Sequence, residues 1–392
     1  MTEQVRGWWN SQMILSTICF DKLPYKAISV HGMVRDLGHK KMSKSKGNAV
    51  NPNDMIEKYN RDYLRTYLLS QSKGSDFKFD VQGVADMRNF FNTLSNSLNY
   101  VNLYASINFS NNDLNDLLPE DNWILSRIGN LYSNVLNAYN NYEFYKSVSL
   151  IMDFVDKDFS RTYLQLIRKR ISSEQVGKTI SIVIDSLLRL IAPVAPHAAD
   201  YYYNFFNKSS VHVLNFRDVS NFSNNDLEKE FSLVEEIART GLAVRSQEKI
   251  RLRWVLDELI IVSKEKINNF ENVLGTMLNV KKVSFMDSFK ENDNFVSKEF
   301  SCGKVFLKTN VSKEMKEEWE ISELLRQIQD ARKKAGLKTG QKISLLIDSN
   351  DEKFLEKNKK IIEEKTSSVL KKINSEKKQL LVEREFFIEI EK

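Results

Sequence analysis

Between Gly38 and Asn48 the chain sets Lys40, Lys41, Lys44 and Lys46 beside Ser43 and Ser45, with Gly38 and Gly47 at either end. Lysine ammonium groups are compact, mobile point charges, and serine hydroxyls are short-range donors. Glycines let the backbone turn sharply enough to aim its own N–H groups at a polyanion. Together these groups suit phosphate. The elements that would position them are a buried strand read over residues 27–34 and a helix after Pro52, which places the loop at a strand's carboxyl end, where open α/β sheets bind nucleotides.

Length and composition set the frame. A chain of 392 residues implies two or three domains, and its 42% apolar and 28% charged residues are those of a globular protein. No apolar run reaches membrane-spanning length and Met1-Thr2-Glu3-Gln4 is no signal peptide, so no membrane partner and a cytoplasmic location are expected. Two cysteines, Cys19 and Cys302, form neither a disulfide framework nor a Cys-x-x-Cys metal site, and no metal ligands are assigned. Cys19, within an apolar helical pattern, is expected in a core. The net charge of +6 permits an RNA partner without demanding one.

Lys41-Met42-Ser43-Lys44-Ser45 resembles the second signature of class I aminoacyl-tRNA synthetases. Gly7-Trp8-Trp9-Asn10-Ser11-Gln12-Met13 upstream and Gly47-Asn48-Ala49-Val50-Asn51-Pro52 downstream narrow the resemblance to isoleucyl-tRNA synthetases of archaeal and eukaryotic type, over residues 1 to about 345. The family's first signature, His-x-Gly-His, has no counterpart among His31, His39, His197 and His212, and its editing insertion before Gly7 is missing. The chain therefore reads as a carboxyl-terminal portion of such an enzyme.

Taken in order, residues 1–82 read as the last part of the Rossmann-type catalytic fold with the signature loop and stem-contact helices, Asn53 being a candidate N-cap. Residues 83–223 read as a helical anticodon-binding bundle, from apolar stripes at Trp123–Tyr139 and Val148–Phe159 and a helix break at Pro193 and Pro196. Asp121-Asn122-Trp123-Ile124-Leu125-Ser126-Arg127 and Asp158-Phe159-Ser160-Arg161-Thr162-Tyr163 are its most recognisable phrases. Residues 224–392 read as an α/β extension, with a strand at 250–255 among its elements and a helix over 352–375. The fold class expected is thus α/β plus α.

The resemblance implies ATP-dependent activation of isoleucine and transfer to its tRNA, with Mg2+ accompanying ATP. Lys41 and Lys44 would be the catalytic cations, and Ser43 and Ser45 would orient the loop or donate to phosphate. His31, Gly32, Met33 and Val34 resemble the strand whose backbone recognises adenine, though an ordinary core strand explains them equally. Glu3, Gln4 and Trp8 lie where the family contacts the aminoacyl-adenylate. Arg161, Arg168, Lys169 and Arg170 are candidates for tRNA, with Arg161, Gln165 and Arg168 on one helical face; a solvated basic face is the competing reading. The isolated chain is expected to be inactive without the other half of the nucleotide fold. The alternatives are a non-catalytic RNA-binding descendant of a synthetase, or part of a valyl- or leucyl-tRNA synthetase.

Overall fold

The computed structural model describes every residue except 1, 2, 29, 31, 43–46, 111–113, 266, 268, 339, 374, 376, 377, 383 and 392, and of Glu3 the backbone alone. The chain divides into two compact units, Met1–Lys229 and Glu230–Lys392.

The first unit opens with α1 (Glu3–Arg6) and α2 (Trp8–Phe20). None of the α2 residues is buried, and Cys19 is exposed rather than packed in a core. Its apolar residues wrap most of the helix circumference, so no single face is aimed at one core. The strand expected over 27–34 is reduced to β1 (Val34–Arg35), paired in parallel with β2 (Phe77–Lys78). Parallel strands are ordered by cover on both faces and neighbours on both edges. Among the described residues β2 is the one strand that β1 pairs with in a ladder, and Ile28 and Val30 are left 38% exposed.

After the loop comes α3 (Pro52–Tyr59), capped by Asn51, whose side chain accepts from the Asn53 N–H at 3.1 Å. The cap lies two residues before the expected Asn53 because Pro52 takes the first helical position, where its fixed φ fits and its missing N–H costs nothing. Asn60, at φ 100°, turns the chain into α4 (Arg61–Gln71) and caps it.

The bundle follows as α5 (Val81–Tyr104), α6 (Pro119–Asn140), α7 (Phe144–Asp153), a π-helical stretch Phe154–Tyr163, α8 (Leu164–Leu166), α9 (Glu174–Ile191) and α10 (Pro196–Asn207). The two predicted stripes do face its core: Trp123, Ile124, Ile128, Leu131, Val135, Val148, Ile151, Val155 and Phe159 are all buried. The α9–α10 break falls at the two prolines, as their sequence requires. There the Asp62 carboxylate of α4 caps α10, accepting from the Ala198 N–H at 2.6 Å and meeting His197 Nδ1 at 2.8 Å. Arg65 ties the break to α4 through the Pro193 and Val194 carbonyls.

The unit division falls inside α11 (Asn225–Gln247). The second unit continues with β3 (Leu256–Ser263), α12 (Glu271–Leu278), β4 (Val280–Met286), β5 (Phe295–Phe300) and β6 (Gly303–Lys308). It then runs through α13 (Lys313–Lys334), β7 (Ile343–Ser349), α14 (Glu352–Thr366), β8 (Ser368–Lys372), β9 (Gln379–Leu380) and β10 (Glu385–Ile390). One sheet has the order β4-β3-β6-β5 and the other β8-β7-β10-β9. In each, a helix crosses between two parallel strands and the remaining pairings are antiparallel. The unit is one helix–strand–helix–three-strand pattern built twice.

Two expectations fail here. Residues 250–255 form a turn, not a strand, and α14 ends at Thr366 so that β8 takes up part of the Lys/Glu-rich run. That run is no mere solvated helix: Phe354, Leu355, Ile362 and Phe386 are buried with Leu324, Ile328, Leu345 and Ile347.

Candidate phosphate loop and basic face

The loop is closed at its base. Arg35 and Lys41 bridge in antiparallel fashion, the Asp36 N–H donates to the Lys40 carbonyl at 2.9 Å, and His39 at φ 64° makes the reversal. One Asp36 carboxylate oxygen accepts from the Lys40 N–H at 2.8 Å and the other from Asn48 Nδ2 at 2.7 Å. Asn48 Nδ2 also reaches the Lys41 carbonyl at 3.3 Å, so one side-chain pair clasps both ends of the lysine segment. Asn48 first, then the Lys40 N–H, hold the Asp36 carboxyl below the usual aspartate range. Gly47, at φ 66°, supplies the left-handed residue the returning backbone needs.

Beneath the clasp is an apolar floor. Met42 and Val50 pack against the cluster of Leu64, Tyr67, Phe79 and Val84, and Met42, Val50, Val34, Met55, Leu64 and Phe79 line a cavity of about 180 Å³. Both ends of the loop are thereby anchored to α3, α4 and Phe79, just past β2. Lys40 and Lys41 stay exposed. Ser43, Lys44 and Ser45 lie outside the described residues, as do His31 and the Glu3 side chain.

Asp76 braces the backbone before the loop. It accepts from the Met33 N–H at 2.7 Å and pairs with Arg35 at 2.6 Å, while Arg35 Nη1 donates to the His39 carbonyl at 3.1 Å. These contacts, Met33 foremost, lower the Asp76 pKa. The Met33 carbonyl accepts from the Phe77 N–H at 3.1 Å, so both main-chain groups of this expected adenine contact are engaged within the chain. Val34 pairs with Phe77 in the ladder, and a Cβ at Gly32 would collide with the Ser75 backbone. Gln4 and Trp8 stand apart on α1 and α2, where Gln4 Oε1 accepts from the Trp8 N–H at 3.4 Å and the Trp8 ring is 62% exposed.

The basic stretch in the bundle separates into two kinds of residue. Arg161, Gln165, Arg168 and Lys169 are exposed, Arg161 pairing with Asp156 at 3.1 Å. They do not share one α-helical face, because the backbone is π-helical to Tyr163 and turns after Leu166. Arg170 is an internal clamp: its guanidinium donates to both Asp121 oxygens at 2.9 Å and to Glu120 at 2.8 Å. Burial opposes its charge, but Asp121 and Glu120 outweigh that and raise its pKa. Of the four basic residues expected to meet tRNA, Arg170 is thus the one whose guanidinium is engaged with two carboxylates inside the bundle.

The two recognisable bundle phrases meet twice. The Tyr163 hydroxyl donates to the fully buried Asp121 at 2.7 Å, and Arg127 pairs with Asp158 and with Glu228, each at 2.8 Å. Burial raises the Asp158 pKa even against Arg127. Both contacts tie α6 to the π-helical stretch within the bundle.

Sequence reasoning passed over Asp36, Asn48, Met42 and Asp76. Asn48 was quoted only within a phrase, and nothing in its spacing pointed to Asp36.

Residues 2–80 match a family model described as tRNA synthetases class I (I, L, M and V), and residues 121–261 match one described as anticodon-binding domain of tRNA ligase. Among curated proteins, the isoleucine--tRNA ligase of Methanopyrus kandleri is 33% identical over 74% of this chain and 29% of its own length. That of Pyrococcus abyssi is 29% identical over 96% of this chain and 42% of its length, and that of Archaeoglobus fulgidus 32% over 74% and 30%. The chain thus spans less than half the length of these relatives.

Proposed function

Since the chain belongs to the isoleucyl-tRNA synthetase family of class I enzymes, we propose that it supplies the phosphate loop and tRNA-binding bundle of an isoleucine--tRNA ligase. The observation that carries this reading is the clasp of Asp36 and Asn48 over an apolar floor, which leaves Lys40 and Lys41 exposed beyond β1.

In the first half-reaction the isoleucine carboxylate attacks the α-phosphorus of ATP and pyrophosphate leaves, so negative charge grows on the β- and γ-phosphates. Cations fixed at that place lower the barrier more than they aid ground-state binding. Lys41 and Lys44 take that role, with Ser43 and Ser45 donating to phosphate oxygens. In the second half-reaction a terminal ribose hydroxyl of tRNA attacks the activated carbonyl and AMP leaves. Gln4 and Trp8, with Glu3, are proposed for the adenylate, and Gly32, Met33 and Val34, with His31, for adenine. Arg161, Arg168 and Lys169 are proposed for tRNA phosphates.

Among the described residues no group of three or more His, Cys, Asp or Glu side chains is placed to hold a metal ion. Magnesium is proposed to enter with ATP, as part of the Mg-ATP substrate. No described helix is long and apolar enough to cross a membrane, and the cytoplasm is the proposed site of action. The 392 residues contain no His-x-Gly-His sequence, and the first signature is proposed to be supplied by sequence other than these residues.

Complementation tests the whole reading. The chain alone should bind isoleucine tRNA without supporting pyrophosphate exchange, and exchange should appear when a polypeptide carrying the first signature is added. In that complemented enzyme Lys44→Ala should slow exchange about a hundredfold, the loss of one fixed charge-stabilising donor. An unchanged exchange rate removes Lys44 from the mechanism, and equal, steeply salt-sensitive affinity for all tRNAs replaces tRNA recognition with general polyanion binding.

A further inference from the structure

The turn after α11 and the turn after α13 are one design used twice. In each, a buried arginine near the helix end donates to two carbonyls of the segment that follows. Arg245 reaches Arg251 and Trp254 at 3.1 and 2.9 Å, and Arg332 reaches Lys338 and Gln341 at 3.2 and 2.8 Å. A left-handed residue reverses the chain, Lys249 at φ 57° in one turn and Gly336 at φ 70° in the other. Backbone closures correspond as well: the Ile250 N–H donates to the Arg245 carbonyl, the Leu337 N–H to that of Arg332.

The second turn reveals what the first has beyond its structural need. Lys338 and Gly340 stand where the first turn has Arg251 and Arg253, and the turn forms all the same. Both extra guanidiniums converge on Glu323 of α13, whose side chain is 3% exposed. Arg251 Nη1 lies at 3.0 Å, and Arg253 at 2.5 Å through Nε and 3.1 Å through Nη2. Arg326 is 3.6 Å from the same carboxylate but has Asp330 as a second partner at 3.0 Å. Arg251 and Arg253 share one buried carboxylate while their side chains remain 53% and 35% exposed.

Their geometry is fixed from below. The Arg251 guanidinium sits 5.4 Å from the Trp254 ring, Trp254 stacks on Trp319 at 4.8 Å, and Trp319 Nε1 donates to the Val255 carbonyl at 2.6 Å. Forks oriented in advance lose little freedom on binding, and their planar donors match phosphate oxygens in pairs.

We propose that Arg251 and Arg253, oriented by Glu323 and Trp254, form a clamp for the backbone phosphates of an RNA. The proposal rests on the tRNA-binding reading above. Affinity of the full chain for isoleucine tRNA, measured by fluorescence anisotropy across a salt series, tests it. The variant Arg251→Gln/Arg253→Gln/Glu323→Gln removes both signs together and so leaves no buried charge unpaired. It should bind about tenfold more weakly near 0.1 M salt, with a log–log salt slope smaller by about two, one per lost phosphate contact. Arg251→Lys/Arg253→Lys should keep the slope while losing part of the affinity. Wild-type affinity and slope in a triple variant with an unchanged melting curve overturn the clamp, as they would if the patch served an acidic protein instead. Should the triple variant fail to fold, Arg251→Gln alone carries the test, with a slope loss of about one expected and none overturning the proposal. A wild-type chain that binds no tRNA removes the functional reading itself, a distinct outcome.

Discussion

Asp36 is where the lysine loop is most open to interruption. Its two oxygens close the segment from both sides, yet it touches no proposed substrate group, so its role is to position. Asp36→Ala should slow pyrophosphate exchange in the complemented enzyme by roughly tenfold to a hundredfold, as misplacement of catalytic groups by about an ångström does. It should leave tRNA affinity unaltered, and an unchanged exchange rate would show that the loop holds its shape without the clasp. The pH response has a definite sign. Because the folded carboxyl titrates below its ordinary 3.8, the clasp is fully formed above that value and opens as pH falls through the lower folded value. Asp36 therefore adds no step to the pH–rate profile around neutrality. The lysines themselves were legible because four cations and two hydroxyls in one short segment announce phosphate. The clasp was not, since it joins two residues twelve positions apart through a loop geometry that only the fold creates.

At the scale of elements, the sequence misled where a local pattern copied another structure. Ile250, Leu252 and Trp254 alternate with arginines in strand fashion, but the buried Arg245 takes the carbonyls a strand would have used in its ladder. The strand expected at 27–34, of which residues 29 and 31 lie outside the described residues, is short for the opposite reason: its composition is right, but β2 is the one strand it pairs with in a ladder among the described residues. Helix junctions were more readable, since Pro193 and Pro196 impose the break between α9 and α10. What they could not disclose is that Asp62, remote in sequence, caps the second helix. Asp62→Ala strips that cap and leaves the half-buried Ala198 N–H without its acceptor, and should cost about 1–2 kcal/mol. At roughly 2–4 °C per kcal/mol for a unit of this size, calorimetry should register several degrees. His197→Ala, at a side chain 58% exposed, should cost less than half as much. Equal losses would make the Asp62–His197 contact, rather than the cap, the main contribution.

At the scale of the molecule, the duplication in the second unit turns one stability question into a controlled comparison. Arg245 is a buried cation with three carbonyl acceptors, those of Arg251, Trp254 and Asn279, and burial lowers its pKa to about 10. Arg332, in the matching position, has two, those of Lys338 and Gln341. At neutral pH Arg245 remains charged, and its guanidinium closes the turn by donating to those three carbonyls. A lysine keeps the charge but concentrates its donors on one atom, which cannot span carbonyls set by a planar fork. Each buried acceptor left unmade costs about 1–3 kcal/mol. Arg245→Lys should therefore destabilise the second unit by roughly 2–4 kcal/mol, and Arg332→Lys by less, because one acceptor fewer is orphaned. Urea unfolding of the full chain, followed by tryptophan fluorescence from the stacked Trp254 and Trp319, reads both changes in the unit concerned. A loss near zero at Arg245 would mean that the turn is held by its backbone closures alone, and the two copies would then share a shape without sharing its cause.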